Sequence, residues 1–565
     1  MDVERRGAVA VGWLIGVAGL LRLLPLARLH PIVWDEVEYF RATDWVSRGL
    51  VPYRDFWEHH TPLQWFVFAP VAAMTSSPGV SAILTMRWAQ LPLWILTFVL
   101  LAKWMRRAGA SAPAAGLAVL FAFCSSQFML AAIEYRIDAL GCALYVAGLF
   151  LLQRRRGIAA GALLCLAGFA NIRLGPLIAV TMVATVLLSR IRWRAIAGAT
   201  TAFAAAAAYF LATGTVALAF RRVWTENYLA QQLAPEPPLA LWRRLSTPFG
   251  FVPQGFDLGS LDVGTIVIFV AGIAGMIHVL ATRWRARDEL FVLALLQIVN
   301  VTFVGRMGYI HHYHFLIVTL LALPFVAHVC DLLLASRCVA VIATVVTVAI
   351  AVSAFASVFR GKEADLDYQD MIMREADRLT PPGARVFSGV GYALRREPAY
   401  EFWFLATNVV ALEKAGIFRP YDITADPPDA VIADQRTRFW LTRHPEQAEY
   451  IRRHFRPVWP ELWLPAMTAR LTPQSPSARW IVPAEGTYFV RAPVPLRFAI
   501  DGNPQPPSDR LTLRKRQRLD VAADIMQTTD IFIIPAGQSR QFHRPPEGVT
   551  LDAVAPPRTH VPRLW

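Results

Sequence analysis

Charge is scarce in this chain. Of 565 residues only 17% are Asp, Glu, Lys or Arg, against 55% that are hydrophobic, a balance that points away from a single soluble domain and towards a polytopic membrane protein. Cysteine is scarcer still. Cys124, Cys142, Cys165, Cys330 and Cys338 all lie in or beside apolar runs, so no disulfide framework or cysteine zinc cluster is available. Beyond Phe359 no apolar run is long enough to cross a bilayer, so the membrane part is predicted to end near Arg360. The first apolar run continues through "LLRLLPLARLHP" without a clear small-residue cleavage site, which favours an uncleaved first span over a signal peptide. No internal repeat stands out.

What is present is a series of apolar windows near 9–29, 80–104, 112–133, 138–152, 157–171, 174–189, 195–219, 263–281, 289–305, 312–334 and 338–359. They predict about eleven spans. Basic clusters, such as Arg154/Arg155/Arg156 and Arg283/Arg285/Arg287, alternate with loops rich in carboxylates and aromatics. The net charge of +15 is therefore read as topology, not as a nucleic-acid surface: the basic loops mark the cytoplasmic side. This predicts a multi-pass inner (plasma) membrane protein with a cytoplasmic N-terminus and a periplasmic or extracellular tail. Two windows, 138–152 and 174–189, are short, and "NIRLG" joins the fifth and sixth, a pattern expected where broken helices line a cavity.

Three outside segments follow. Residues 30–79 form a long first loop with an amphipathic stretch, "DEVEYFRATDWVSRGL", and then "TPLQWFVFAPVAAM", which reads as a membrane-surface helix. The loop 220–262 is rich in proline and aromatics. The tail is divided into a small α/β unit, 361–470, and a β-sandwich-like unit, 471–565, on the strength of segments such as "PPDAVIAD", "GTYFVRAP" and "TDIFIIPAG".

Several clusters bear on chemistry. In "WDEVEYF", Asp35 reads either as the N-cap of a helix, with Glu38 closing a capping box, or as a carboxylate placed to meet a lipid-borne substrate at the outer headgroup level. In "YRDFWEHHTPLQ", Arg54, His59 and His60 read as donors to phosphate, the histidines with Glu58 or Asp55 as oxygen ligand read as a metal site, or the group reads as polar anchors of the surface helix. In "IEYRIDAL", Glu134, Arg136 and Asp138 form an ion-pairing group, Asp138 being also a candidate N-cap. Arg173, Arg306, His311, His312 and His314 sit at outer span ends with Tyr309 and Tyr313, where a cation faces a cavity or snorkels.

The order of these motifs resembles the GT-C superfamily of membrane glycosyltransferases, in particular the branch of protein O-mannosyltransferases and aminoarabinose transferases that modify lipid A. The carriers are "WDEVEYF" after span one, "YRDFWEHH" with Tyr53, "HTPLQ" in place of a Lys-Pro-Pro-Leu type motif, and "RID" before span four. Here His60 stands for the lysine and Thr61 for the first proline. The likeness covers roughly residues 9 to 335, and it implies a GT-C-like catalytic domain over 1–360.

The resemblance implies a polyprenyl-phosphate sugar donor and an envelope acceptor, whether lipid, glycan or protein. Asp35 would be the base, with Glu36 and Asp138 beside it. His59, His60, Arg173, Arg306, His311, His312 and His314 would face the donor phosphate, and Tyr53, Arg54, Glu58, Glu134, Arg136 and Tyr313 would position substrate. One base and no assigned nucleophile imply an inverting single displacement. No cofactor is required, and a divalent metal is left open. The competing readings are a transporter or flippase of lipid-linked sugars and a non-catalytic envelope assembly protein.

Overall fold

The computed structural model describes residues 19, 23–233, 249–252, 255–286, 288–305, 312–335, 364–458 and 461–535. The last expected span, 338–359, lies outside them, as does most of the first. The described chain divides into two compact units, one reaching to Leu366 and the other running from Asp367 onward with Ser77–Ser81 grouped with it.

The first unit is helical. Among the described residues, Val80–Arg107, Arg192–Ala212, Val263–Arg283 and Phe315–Leu334 are long and apolar enough to cross a membrane. Shorter apolar helices include Ile137–Gln153, Gly157–Ala170 and Glu289–Gly305. At 1.5 Å per residue, Gly157–Ala170 reaches only about 21 Å, short of a hydrocarbon core of about 30 Å. The expected span 112–133 is two helices, Ala112–Cys124 and Ser126–Ile133. Ser111 caps the first, accepting from the Ala114 N–H. Ser125 ends it and caps the second by accepting from the Phe128 N–H, leaving its own hydroxyl 2.5 Å from that of Thr265. A Cβ at Gly264 would strike the Cys124 backbone, so a side chain there is incompatible with this close approach.

Between the first span and Val80 the chain folds as helix Trp34–Ser47, an irregular loop, and helix Leu63–Ala73. The amphipathic reading of the first of these is corrected: Glu36 through Trp45 are all buried. The second behaves more nearly as expected of a surface helix, burying Gln64, Trp65, Phe68 and Ala72 while Phe66, Val67 and Met74 are exposed.

The second unit takes up helix Ala364–Leu379 from Asp367 onward and builds a five-stranded sheet from β3 (Arg385–Ser388), β4 (Glu397–Pro398), β5 (Ala430–Ile432), β6 (Phe455–Pro457) and β7 (Leu462–Pro465). Strands β1 and β2, Phe249–Val252 and Gly255–Leu261, form a separate hairpin in the first unit. The order of the five is β4-β3-β5-β7-β6, parallel around β3 and antiparallel beyond β5. Two four-stranded antiparallel sheets follow, made from β8 (Met467–Leu471), β9 (Ser477–Ile481), β10 (Gly486–Arg491), β11 (Arg497–Ile500), β12 (Asn503–Gln505), β13 (Arg510–Leu513), β14 (Arg518–Ala522) and β15 (Thr529–Pro535). They run β13-β10-β15-β8 and β12-β11-β14-β9 and bury one apolar core that includes Trp480, Tyr488, Phe498, Leu519 and Ile531, the arrangement of a sandwich. The β11–β12 hairpin turns at Asp501 and Gly502, both at positive φ, as an Asp-Gly hairpin turn requires.

Candidate active site

Asp35 and Glu36 are neighbours with different surroundings. The N-cap of helix Trp34–Ser47 is Val33, and its N–H is taken by Glu36 Oε2 at 3.0 Å. Asp35 is therefore not the N-cap, and the capping-box role expected of Glu38 belongs to Glu36. The other carboxylate oxygen of Glu36 accepts from the Tyr135 N–H at 2.8 Å, and both oxygens accept from Arg87, at 2.7 and 2.5 Å. Glu36 and Arg87 are each wholly buried. Arg87 donates its remaining hydrogens to the carbonyls of Ala27, His30 and Pro31. The four acceptor positions of the carboxylate and the five donors of the guanidinium are all filled, so Glu36 is a clamp that joins residues 27–31, this helix and the 134–136 turn. That is not the environment of a group that handles substrate.

Asp35, one residue earlier, faces Arg136. The Arg136 guanidinium sits among three carboxylates: Asp35 at 3.1 Å, Glu134 at 3.1 Å and Asp138 at 3.2 Å. Glu134 and Asp138 are buried, whereas the Asp35 side chain is 22% exposed. Asn171 donates to the second oxygen of Asp138 at 2.8 Å. Tyr313 lies under the cation, its ring centre 3.5 Å from the Arg136 guanidinium and 5.0 Å from that of Arg173, close enough for cation–π contact. Arg173 Nη1 is buried and has no hydrogen-bond partner among the described residues. A buried guanidinium nitrogen in that condition is suited to an anionic ligand. Asp35, Asp138, Glu134, Arg136, Arg173 and Tyr313, read from separate motifs, thus come together.

Helix Val80–Arg107 also braces the turn that carries Arg136. Gln90 donates to the carbonyls of Ala132, Ile133 and Glu134 and accepts from the Arg136 N–H. Arg87 and Gln90 are three apart, hence on one helix face.

The loop between the two short helices brings Glu58, His59 and His60 against Glu38. Glu58 is fully buried. Its Oε1 accepts from the N–H groups of His59 and His60 at 2.8 and 3.1 Å and lies 2.9 Å from His60 Nδ1. Burial raises its carboxyl to about 7 and holds the imidazoles of His59 and His60 well below their usual range, so both are neutral at pH 7. Outer contacts fix the loop: Tyr53 donates its hydroxyl to the His60 carbonyl at 2.6 Å, Asn227 donates to the His59 carbonyl at 2.8 Å, and Trp57 donates to Glu226 at 3.4 Å. Tyr53 has φ of 69° while buried, a conformation that a bulky residue adopts only under constraint. Glu226 ends a π-helical turn, Arg221–Glu226. The ring of His60 also meets that of Tyr39 edge-on, 5.2 Å apart, and the Tyr39 hydroxyl lies 3.5 Å from Arg136.

No protein-family model and no curated protein matches this chain. A solved structure does: the chain is similar to ArnT. That crystal structure, of ArnT from Cupriavidus metallidurans bound to undecaprenyl phosphate, shares 14% sequence identity and a TM-score of 0.48, covering 91% of this chain and 98% of the other.

The remaining expected residues distribute unevenly. Arg54 is 52% exposed at its side chain and bound to Asp55. His314 is buried beside Tyr313, ring centres 4.7 Å apart. Arg306 and His311 lie outside the described residues, and of His312 only the backbone is described. Sequence reasoning missed Arg87 and Gln90. The available signal was a charged and an amide side chain inside an apolar window, where such groups face protein rather than lipid.

Proposed function

We propose that this protein is a membrane glycosyltransferase that moves a sugar from a polyprenyl-phosphate donor to an acceptor hydroxyl or amine outside the cytoplasm, with inversion at the anomeric carbon. The observation that carries this reading is the convergence of Asp35, Glu134 and Asp138 on one guanidinium, with the unpartnered Arg173 nitrogen close by. The order of the sequence motifs supports it. In the proposed orientation the N-terminus is cytoplasmic, and the Arg136 group and the second unit lie on the outer side.

Asp35 is the base. It is the most exposed of the three carboxylates, so it is the one an acceptor can reach. The acceptor oxygen or nitrogen bonds to the anomeric carbon as its proton passes to Asp35. The bond from that carbon to the phosphate oxygen breaks, and polyprenyl phosphate leaves with the electron pair. Its charge is met by Arg173 and by Arg136, both of which lie over the Tyr313 ring. The cationic role expected of His59 and His60 passes to these arginines, because both imidazoles are buried and neutral.

The test is Asp35→Asn in the full-length protein, with thermal stability measured beside transfer from a polyprenyl-phosphate sugar. Loss of transfer in a folded variant supports the base; transfer at the wild-type rate overturns it.

A further inference from the structure

Glu38, Glu58, His59 and His60 lie outside the group around Arg136, and their geometry has a chemistry of its own. One ligand-type atom from each lies within 4.8 Å of the others. His59 Nδ1 is 3.2 Å from Glu38 Oε1 and 3.9 Å from Glu58 Oε1, while His60 Nδ1 is 2.9 Å from Glu58 Oε1 and 3.9 Å from Glu38 Oε1. A tetrahedral zinc with bonds of about 2.0–2.2 Å to nitrogen and oxygen holds its ligand atoms about 3.3–3.6 Å apart. The two imidazoles and two carboxylates thus lie within reach of one ion, and at Glu58 the oxygen open to it is Oε2, since Oε1 already accepts from the His59 and His60 N–H groups.

Two further observations point to a ligand. Glu58 is fully buried, yet its Oε2 has no hydrogen-bond partner among the described residues, and neither does His59 Nδ1. A buried carboxylate requires a cation or a full set of donors. The group also has the outer hydrogen bonds that orient metal ligands: Glu58 Oε1 takes two backbone N–H groups, and the carbonyls of His59 and His60 are tied to Asn227 and Tyr53.

We propose that Glu38, Glu58, His59 and His60 bind one divalent first-row transition-metal ion, zinc in the first instance, in a closed tetrahedral site that fastens the loop Trp57–His60 to helix Trp34–Ser47. Imidazole and carboxylate donors suit zinc, and four protein ligands mark a structural site. The site holds its ion whether or not the protein transfers sugar.

The experiment uses full-length protein purified in detergent without a polyhistidine tag, stripped with a chelator and reloaded with Zn2+ or Co2+. Elemental analysis is expected to give one zinc per chain, and Co2+ to give the intense visible bands of tetrahedral coordination. Zinc is expected to raise the melting temperature. Glu58→Gln and His59→Ala are each expected to weaken zinc binding at least about tenfold. The wild-type measurements decide without any variant: no retained or rebound zinc, or an octahedral cobalt spectrum, overturns the proposal. Zinc bound equally well by folded Glu58→Gln and Glu38→Gln proteins overturns it too, by placing the ion elsewhere.

Discussion

Two arginines in the helical unit hold consecutive acids of one helix, and they do so in opposite ways. Arg87 and Glu36 are sealed from solvent and saturate each other and their surroundings. Arg136 is divided among Asp35, Glu134 and Asp138, with Asp35 partly open. A saturated pair has no capacity left for a substrate, so its value is structural. A divided cation with an accessible acid can exchange one partner for another, which a reaction requires. Sequence position does not separate the two cases, since Asp35 and Glu36 are adjacent; hydrogen-bond capacity does.

The sharpest way to break the comparison is to cut each pair. Arg87→Met leaves Glu36 charged and buried, and loss of one partner from such a pair costs about 3–5 kcal/mol. The expected result is a sharp fall in melting temperature or loss of folded protein from detergent extracts. A stability within error of wild type would make the two arginines equivalent. Asp35→Asn, by contrast, is expected to shift stability by less than about 1 kcal/mol while transfer falls roughly 10²–10⁴-fold, the range for loss of a general base. Arg173→Gln sharpens the contrast from the cation side. Its Nη1 makes no hydrogen bond among the described residues, so little stability is expected to be lost, yet transfer is expected to fall roughly 10²–10³-fold. Arg173→Lys should restore part of that loss. Kinetics and melting curves on the same preparations check each expectation.

Much of this was legible in the sequence, for reasons that differ from residue to residue. Apolar length located Val80–Arg107, Val263–Arg283 and Phe315–Leu334 because lipid demands length. It merged Ala112–Cys124 with Ser126–Ile133 because the Ser125 break is a local capping event inside an apolar run. Alternation located β10 and β15, whereas β8, with two arginine- or threonine-bearing positions in five residues, has too weak an apolar pattern. Motif order brought Asp35 and Asp138 into one hypothesis. The division of labour between Asp35 and Glu36 depended on Arg87, 51 positions beyond Glu36, and no local pattern announces that partner. The neutral state of His59 and His60 likewise follows from burial by helix packing, which a loop sequence rich in polar residues does not reveal.

Glu461, in the second unit, offers a third arrangement and the mildest prediction. It has a single arginine at hand, Arg438 at 3.3 Å, with both side chains mostly buried. Burial, helped by nearby Asp434 and opposed by Arg438, raises its carboxyl from 4.5 to about 7. The folded protein therefore keeps a proton that the unfolded chain releases near 4.5. Its stabilising effect is complete below about 4.5 and is lost as pH rises through 7, with a slope of at most about 1.4 kcal/mol per pH unit. Asp434, whose carboxyl burial also raises, adds a slope of the same sign, so the informative quantity is the difference between wild type and Glu461→Gln. The amide cannot ionise, and the variant is expected to lose less stability than wild type between pH 5 and 7. Melting temperatures of the full-length protein across that range measure it. Parallel curves would mean that Arg438 compensates the Glu461 charge fully, making this pair a milder form of the Arg87–Glu36 clamp.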